Sequence, residues 1–481
     1  MTPRVLICGA NGYVGSRLAV AIEKLGRPLR LMARRLEFVK RNHSSSAEWV
    51  EADLLKPETL PAAFAGIDTA YYLVHSMAAD QDYAELDKKA ASNFVTAAQQ
   101  AGLRRVIFLG GLGSDQSSLS KHLKSRHQTG DILRASTIQV IEFRASIIIG
   151  PGSLSFELIR SLVERLPIMI TPKWVHIETQ PIFIEDVIDY LIHALDLQLA
   201  KNAIFEIGGS EVVSYGDLMR EYAKQRGLHR LMIPVPFLTP HLSSWWLQLV
   251  TPIYARVGQQ LIASLVNRTV VSHFEAHNAF KIRPIGYKEA ISRAREMEEQ
   301  DFCGIRWSDT DTYVTHANLN HATGHYGTRL FAIEKRQSDL PAWAIFKVIE
   351  QIGGKNGWYF ANSLWSLRGL IDYWCGGIGM RRGRRNQSTL MVGDALDFWR
   401  VLAITPQEHL KLFAEMRLPG RAWLDFRITI ENGKTVLYQT AIFDPKGLMG
   451  LLYWYCLLPL HNIIFSGLVN AIIRRAEKLE L

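Results

Sequence analysis

The sequence predicts an α/β chain in which a doubly wound parallel sheet is followed by a separate α+β domain with antiparallel strands. Three observations carry this. Short apolar runs alternate with helically spaced apolar residues through the first half. A glycine-rich turn, Gly9-Ala10-Asn11-Gly12-Tyr13-Val14-Gly15, joins the first run to the first helical pattern. Beyond Arg329 the texture changes to alternating runs around Asn432-Gly433, closed by a long apolar segment.

The runs Arg4–Gly9, Leu29–Ala33, Ala47–Ala52, Thr69–Val74, Arg105–Gly110 and Gln139–Ile149 read as strands. Tyr13–Leu25 and Tyr83–Ala101 read as helices between them, so the sheet is parallel. Ala203–Gly208 reads as a further strand, and Ser214 as the N-cap of a helix through Ala223. Residues 231–299 turn helical and proline-punctuated, residues 300–328 are polar and weakly periodic, and residues 329–481 form the second domain. We read these as a small substrate lobe, a linker and the α+β domain, after a dinucleotide-binding domain over residues 1–230. In the last of them Leu424–Ile430 and Thr435–Phe443 alternate about Asn432-Gly433, the signature of a two-residue hairpin.

Composition bounds the function. A chain of 481 residues is too long for one core, and 48% hydrophobic against 21% charged residues excludes extensive disorder. The net charge of +9 favours anionic partners such as phosphorylated cofactors or acidic lipid surfaces. No nucleic-acid motif accompanies it, so nucleic acid is not expected. The knot Arg381, Arg382, Arg384 and Arg385 reads as a solvated loop, with an anionic surface contact as the alternative. The four cysteines lie far apart, which suggests neither a metal site nor a disulfide framework and suits a reducing, cytoplasmic setting. The chain enters a strand at once, so no signal peptide is expected. Gly447–Ile473 is long enough to span a bilayer, but Pro459, His461, Asn462 and Asn470 argue for a buried or interfacial helix. Its basic end, Arg474 and Arg475, suits peripheral contact with an acidic membrane surface.

The glycine turn has a chemical reading. Gly9 permits the tight turn, Gly12 lets backbone approach a pyrophosphate, and Gly15 lets helix and strand pack closely, with the helix N-terminus toward the phosphates. Asn11, Tyr13 and Val14 complete the loop. Arg34 and Arg35 end the second strand where an adenosine ribose would lie, which suits the 2′-phosphate of NADP, with NAD as the alternative. Asp53 closes the third strand, either at the adenine edge or as an ordinary loop aspartate.

These residues resemble the extended and atypical short-chain dehydrogenase/reductase superfamily. The likeness extends to Asp53-Leu54, Tyr71-Tyr72-Leu73-Val74-His75, Asn93, and Gly110-Gly111-Leu112-Gly113-Ser114. More narrowly the chain resembles bacterial NmrA-like NAD(P)-binding proteins, through Phe143-Arg144-Ala145, Gly150-Pro151-Gly152-Ser153, Pro172-Lys173-Trp174-Val175 and Gln180-Pro181-Ile182. The C-terminal part resembles polyketide-cyclase/START-like (helix-grip) folds, through Gly357-Trp358-Tyr359, Leu364–Gly369, Gly393–Trp399 and Pro445–Leu448. The resemblance implies a Rossmann fold with a small substrate lobe, a nicotinamide cofactor, and cofactor contacts at Leu54, Val74, His75, Asn93 and Gly110.

The chain departs from that superfamily at its chemistry. The Tyr-x-x-x-Lys pair that usually exchanges the proton falls on Lys121–Asp131, where His122 or Leu123 stands for Tyr and Arg126 or His127 for Lys. Ser114 is then the candidate to polarise a carbonyl, and His122 or His127 the candidate general acid, because imidazole titrates near neutrality. The bland alternative is a polar surface helix. Seven tryptophans follow residue 329 and, with Asp394, Asp397 and Gln439, suit a hydrophobic ligand or a plain aromatic core. The expected function is an NAD(P)-dependent oxidoreductase acting on a quinone-, lipid- or polyketide-like molecule. A non-catalytic dinucleotide-binding redox sensor, or an assembly or lipid-handling protein, is the alternative.

Overall fold

Seven parallel strands make the sheet of the first unit, in the order β7-β6-β5-β4-β1-β2-β3. They are β1 (Val5–Cys8), β2 (Leu29–Ala33), β3 (Glu48–Glu51), β4 (Thr69–Tyr72), β5 (Arg105–Gly111), β6 (Gln139–Ala145) and β7 (Ala203–Ile207). The strand order reverses beside β1, so the crevice at the C-terminal ends of β1 and β4 is the topological switch point where such sheets bind ligands. The chain is seen in a computed structural model that describes residues 4–34, 36, 47–75, 83–113, 119–235, 267–303, 314–317, 321–326, 328–380, 384, 386, 389–431 and 433–480. It divides into two units, Met1–Gly304 and Ile305–Leu481.

Burial explains the strands. Val5, Leu6, Ile7 and Cys8 are all inaccessible, as a central parallel strand covered on both faces requires. Helices α1 (Tyr13–Lys24), α2 (Tyr83–Gln100), α3 (Lys121–Arg134), α4 (Leu154–Arg165), α5 (Ile184–His193) and α6 (Tyr215–Gln225) fill the crossovers and later lobe. Leu18 and Ile22 of α1 pack into one core layer with Ile7 and Tyr71, while Phe94 of α2 packs into the other with Leu6 and Tyr72. The expected Ser214 cap is present as a reciprocal capping box. Ser214 Oγ accepts from Asp217 N at 3.1 Å, and Asp217 Oδ2 accepts from Ser214 N at 2.8 Å.

Three boundaries differ from the sequence reading. The run Gln139–Ile149 is broken after Ala145, because Ser146 Oγ turns to the hydroxyls of Thr179 and Thr269 at 2.7 and 2.8 Å. The segment expected to be a helical lobe from residue 231 opens as a strand, Leu231–Pro234, parallel to Ile168–Thr171. The expected linker 300–328 contains strands β8 (Val314–Ala317) and β9 (His321–Tyr326) of the second unit's sheet. β8 is the edge strand, where little burial is demanded, and β9 beside it is built of polar and small residues, His321-Ala322-Thr323-Gly324-His325-Tyr326, so neither shows an apolar alternation.

That sheet is antiparallel, ordered β8-β9-β10-β15-β14-β13-β12-β11. The remaining strands are β10 (Arg329–Ser338), β11 (Ala395–Leu396), β12 (Trp399–Thr405), β13 (His409–Ala414), β14 (Gly420–Glu431) and β15 (Lys434–Pro445). The expected hairpin joins β14 to β15, with Glu431 paired to Lys434. Helices α7 (Ala342–Glu350) and α8 (Asn362–Trp374) precede β11, and α9 (Gly447–Glu480) packs on β10, β15 and α7. Of the arginine knot only Arg384 is described. It donates to the carbonyls of Glu350, Ile352 and Asn386, so it ties a loop down rather than meeting an anion.

Helix α9 runs unbroken through Pro459, whose ring removes one hydrogen bond without ending it. It is long and apolar enough to cross a membrane, but Ile464, Phe465, Leu468, Val469 and Ile472 are buried in the unit's own core. Arg336 on β10 also grips it, donating to Ser466 Oγ at 2.7 Å and Asn470 Oδ1 at 2.8 Å. Removing those residues into lipid would break this core. We therefore expect carbonate or high salt to release the protein from membranes, checked by fractionation and immunoblot. Release by detergent alone would mean that α9 inserts.

Candidate functional site

The first turn is fixed by steric limits. Gly9 has φ +90°, and a Cβ there would lie 2.7 Å from the Leu73 carbonyl oxygen at the end of β4. A Cβ on Gly15 would lie 2.2 Å from the Gly9 carbonyl oxygen, so only glycine lets α1 start this close to β1. Gly12 differs. Its φ is −74°, and a Cβ would lie 3.1 Å from the Gly9 carbonyl oxygen, tight but less so than at Gly9 or Gly15. Gly12 and Asn11 are exposed, Gly12 is the N-cap with no side-chain cap, and no acid occupies the first turn of α1. An exposed, uncapped helix N-terminus at Gly12 has the geometry of an anion site. Tyr13 closes one wall, its hydroxyl against Gly150, where a Cβ would lie 2.2 Å away.

Around this turn the other expected contacts separate. Arg34 is exposed at the end of β2, and Arg35 lies outside the described residues, as does Ser114. Asp53 Oδ1 accepts from Leu55 N at 3.0 Å, shaping its own turn. Three of the residues expected to touch a cofactor have structural neighbours of their own. Asn93 Nδ2 donates to the Leu54 carbonyl at 2.7 Å, bracing that turn, and the Leu54 side chain is core. Gly110 lies inside β5, where a Cβ would meet the Phe108 ring at 3.2 Å. Val74 is partly buried after β4, and its carbonyl accepts from Arg126 at 3.1 Å.

His75 is also reassigned. Its Nδ1 faces Asp87 Oδ2 at 2.8 Å, and its Nε2 faces His122 Nδ1 at 3.1 Å. Asp87, which sequence reasoning passed over, is buried and also accepts from Ser125 Oγ at 3.1 Å. The result is a chain Asp87–His75–His122 running outward from the interior. Burial is the main force lowering the His75 pKa, partly offset by the Asp87 hydrogen bond. Burial, then the neighbouring His75 and Arg126, lowers His122 to about 3. Both imidazoles are therefore neutral at pH 7. Four residues on, the buried Arg126 donates to the carbonyls of Val74 and Leu109, at the ends of β4 and β5. The pair that stands in for Tyr-x-x-x-Lys is thus His122 and Arg126. His127, the other candidate general acid, is buried, with Nε2 on the Gly111 carbonyl at 3.2 Å.

Residues 9–149 match a family model described as NAD(P)H-binding. The chain carries an NAD(P)H-binding domain. Residues 331–468 match a second model, described only as a protein of unknown function (DUF2867). The NAD(P)H-binding domain is similar to an NAD(P)H azoreductase of Xenophilus azovorans, 26% identical over 114 residues, which are 24% of this chain and 37% of that protein. It is also similar to the photosystem II assembly factor Ycf39 of Trieres chinensis, 24% identical over 212 residues, 43% of this chain and 64% of that protein. The matches therefore span less than two thirds of either relative. The triphenylmethane reductase of Citrobacter sp., solved with NADP(H), superposes with a TM-score of 0.51 at 15% identity over 60% of this chain and 99% of that one. That likeness shows the reductase-type fold.

Two outcomes follow from this geometry. Gly12→Val, shown folded by circular dichroism, should weaken NADPH at least tenfold by calorimetric titration, whereas Gly15→Ala should destabilise the domain itself more than Gly12→Val does. Because the folded His122 resists protonation down to about 3 while the unfolded side chain protonates near 6.5, its contribution is full above pH 6.5 and is lost as pH falls toward 3. Urea unfolding at pH 7.5 and 5 should show His122→Asn losing less stability than wild type on acidification.

Proposed function

We propose that the chain is an NADPH-preferring oxidoreductase that reduces a hydrophobic, quinone-, lipid- or polyketide-like acceptor, and that its C-terminal unit holds a hydrophobic ligand. The observation that carries the catalytic reading is the Asp87–His75–His122 chain. It starts from the C-terminal end of β4, the same sheet edge as the glycine turn after β1. A buried, aspartate-anchored pair of imidazoles is costly to keep, and proton transfer is the chemistry it serves.

A bound nicotinamide supplies a hydride; the chain must supply a proton and orient the acceptor. His122 presents Nδ1 to His75, so its Nε2 is the outward atom. In the protonated chain His75 carries both its hydrogens, one toward Asp87 Oδ2 and one toward His122 Nδ1, while His122 keeps its own on Nε2. Donation from Nε2 to the acceptor draws the His75 Nε2 proton onto His122 Nδ1. The neutral pair then regains its proton from water. Arg126 fixes α3 against the ends of β4 and β5, which holds His122 in place. The relatives support the reaction class: one is named an azoreductase, and the fold is that of a triphenylmethane reductase solved with NADP(H). The likeness to a photosystem II assembly factor supports a second reading, a dinucleotide-binding assembly factor without turnover. Peripheral contact with an acidic membrane belongs to the first reading, since Met449, Tyr455 and Ile463 on α9 are more than half exposed, at 69%, 57% and 63%.

NADPH oxidation should be followed with quinones and azo dyes as acceptors. His122→Phe should lower kcat about 100-fold or more with NADPH affinity unchanged, as loss of a general acid does. The wild-type rate should fall as pH rises, with an inflection below 6.5, and Asp87→Asn should displace it. Binding without turnover of any acceptor would favour the second reading. Arg34 should favour NADPH over NADH by about tenfold or more, from a charge-assisted contact of roughly 1.5–3 kcal/mol. Arg34→Ala with Arg35→Ala should equalise the two cofactors in calorimetry.

A further inference from the structure

The second unit encloses a cavity of about 570 Å³ between α8, α9 and the faces of β14 and β15. Its walls are mostly apolar: Leu364, Leu424, Ala441, Phe443, Trp454 and Phe465 are among them. It reaches the surface between the two helices, where the wall residues Leu367 and Ile371 are 52% and 45% exposed. An apolar molecule would enter past apolar lips rather than across a charged rim.

The polar groups in the wall are few, and three of the buried ones have no protein partner. Trp365 and Trp399 line the cavity while their indole Nε1–H groups are buried and have no protein partner. Both side chains are more than nine-tenths buried, at 7% and 5% exposure. His461 also lines it, with Nδ1 buried and unpartnered. Its ring lies 5.3 Å from that of Phe465, which in turn lies 6.5 Å from Trp365, so His461 and Trp365 belong to one aromatic wall. Burial, then Arg368, lowers the His461 pKa to about 4, so it is neutral at pH 7. The charged wall residues are Arg368 and Arg417; no described acid lines the cavity. An indole N–H and a guanidinium donate hydrogen bonds and accept none. Leaving a buried donor unmade is unfavourable, so a native site with several of them calls for an occupant that supplies acceptors.

Of the other polar residues expected to serve a ligand, the two aspartates have structural partners. Asp397 Oδ2 accepts from Trp358 Nε1 at 2.9 Å and from Gly354 N, and Asp394 Oδ2 accepts from Met391 N at 2.9 Å; both shape turns. Gln439 is fully buried without a protein partner on β15, two residues from the wall residue Ala441 and on the same face.

We infer that this cavity binds an amphiphile with an apolar body and an oxygen-acceptor head, the head meeting the Trp365 and Trp399 indoles and His461, and that it rejects cationic amphiphiles. This rests on the reading that the C-terminal unit holds a hydrophobic ligand, and it adds the chemistry of the head. A neutral carbonyl head, as in a quinone or ester, and a carboxylate head, as in a fatty acid, share that chemistry.

The full-length protein should be titrated, by tryptophan quenching and by calorimetry, with a short-chain ubiquinone, with oleate, and with dodecyltrimethylammonium as the cationic probe. Binding of ubiquinone or oleate at least tenfold tighter than the cation is expected, and the tighter of the two identifies the head. Trp365→Phe and Trp399→Phe each remove one indole N–H and His461→Phe removes both ring nitrogens, while each keeps an aromatic ring in the wall. Each should weaken the preferred probe about three- to tenfold and leave the cation unchanged. If no probe binds, the C-terminal unit is not a ligand domain and both readings fall. If all three probes bind alike, the hydrophobic site stands and the acceptor-head inference is overturned, an outcome that needs no variant to be stable.

Discussion

The contact on which the first unit depends is the approach of α1 to its own turn. With Gly15 packed over the Gly9 carbonyl and Gly9 against the Leu73 carbonyl, the first helix begins directly over the end of β1. Helix α1 then aims its unpaired N–H groups across the crevice between β1 and β4 instead of into solvent. Of the three glycines in the turn, Gly12 is the least hindered and is exposed. Exposure, partial positive charge and topological position coincide at that residue, which is why a pyrophosphate belongs there.

A second constraint is electrostatic. Arg126 is a buried cation at the edge of the sheet, satisfied by two strand-end carbonyls, with Asp87 the nearest anion that acts on it. A buried guanidinium without such partners would not be tolerated. Its position makes Asp87 the natural anchor of the His75–His122 pair, and its charge is one of the forces that keep His122 neutral. Where the resembling reductases place a lysine that lowers the pKa of a tyrosine, this chain places an arginine that depresses a histidine. On the proposed reading, the task of proton exchange passes from one phenol to two coupled imidazoles. Each can hold the hydrogen on either nitrogen, so the pair can move a proton without either ring leaving its partner.

The second unit solves a different problem, the burial of many large aromatics around one long helix. Trp358 stacks on Trp365 at 4.8 Å, and Phe443 on Trp454 at 5.8 Å. These two groups lie on either side of the cavity wall at His461, whose ring meets both Trp454 and Phe465. Flat rings on a curved sheet do not fill the space under α9. The shape of the cavity follows from that mismatch, and its chemistry follows from which ring edges carry N–H groups.

The sequence by itself determined the strand–helix alternation, the glycine turn, the Ser214 cap and the β14–β15 hairpin. Each is a local rule, set by steric limits or by hydrogen bonds between residues a few positions apart. The sequence missed Asp87, because an aspartate four residues into a helix looks like any solvated charge until the fold brings His75 beside it. It left His122 and Arg126 unresolved against Leu123 and His127, since one residue of helical register decides which side chains face β4 and β5. It read β8 and β9 as linker, because the edge strand β8 needs no apolar pattern and β9 beside it carries polar and small residues. Only the tertiary structure decided which polar groups are buried, and burial is what turns a histidine, an arginine or an indole into a functional group.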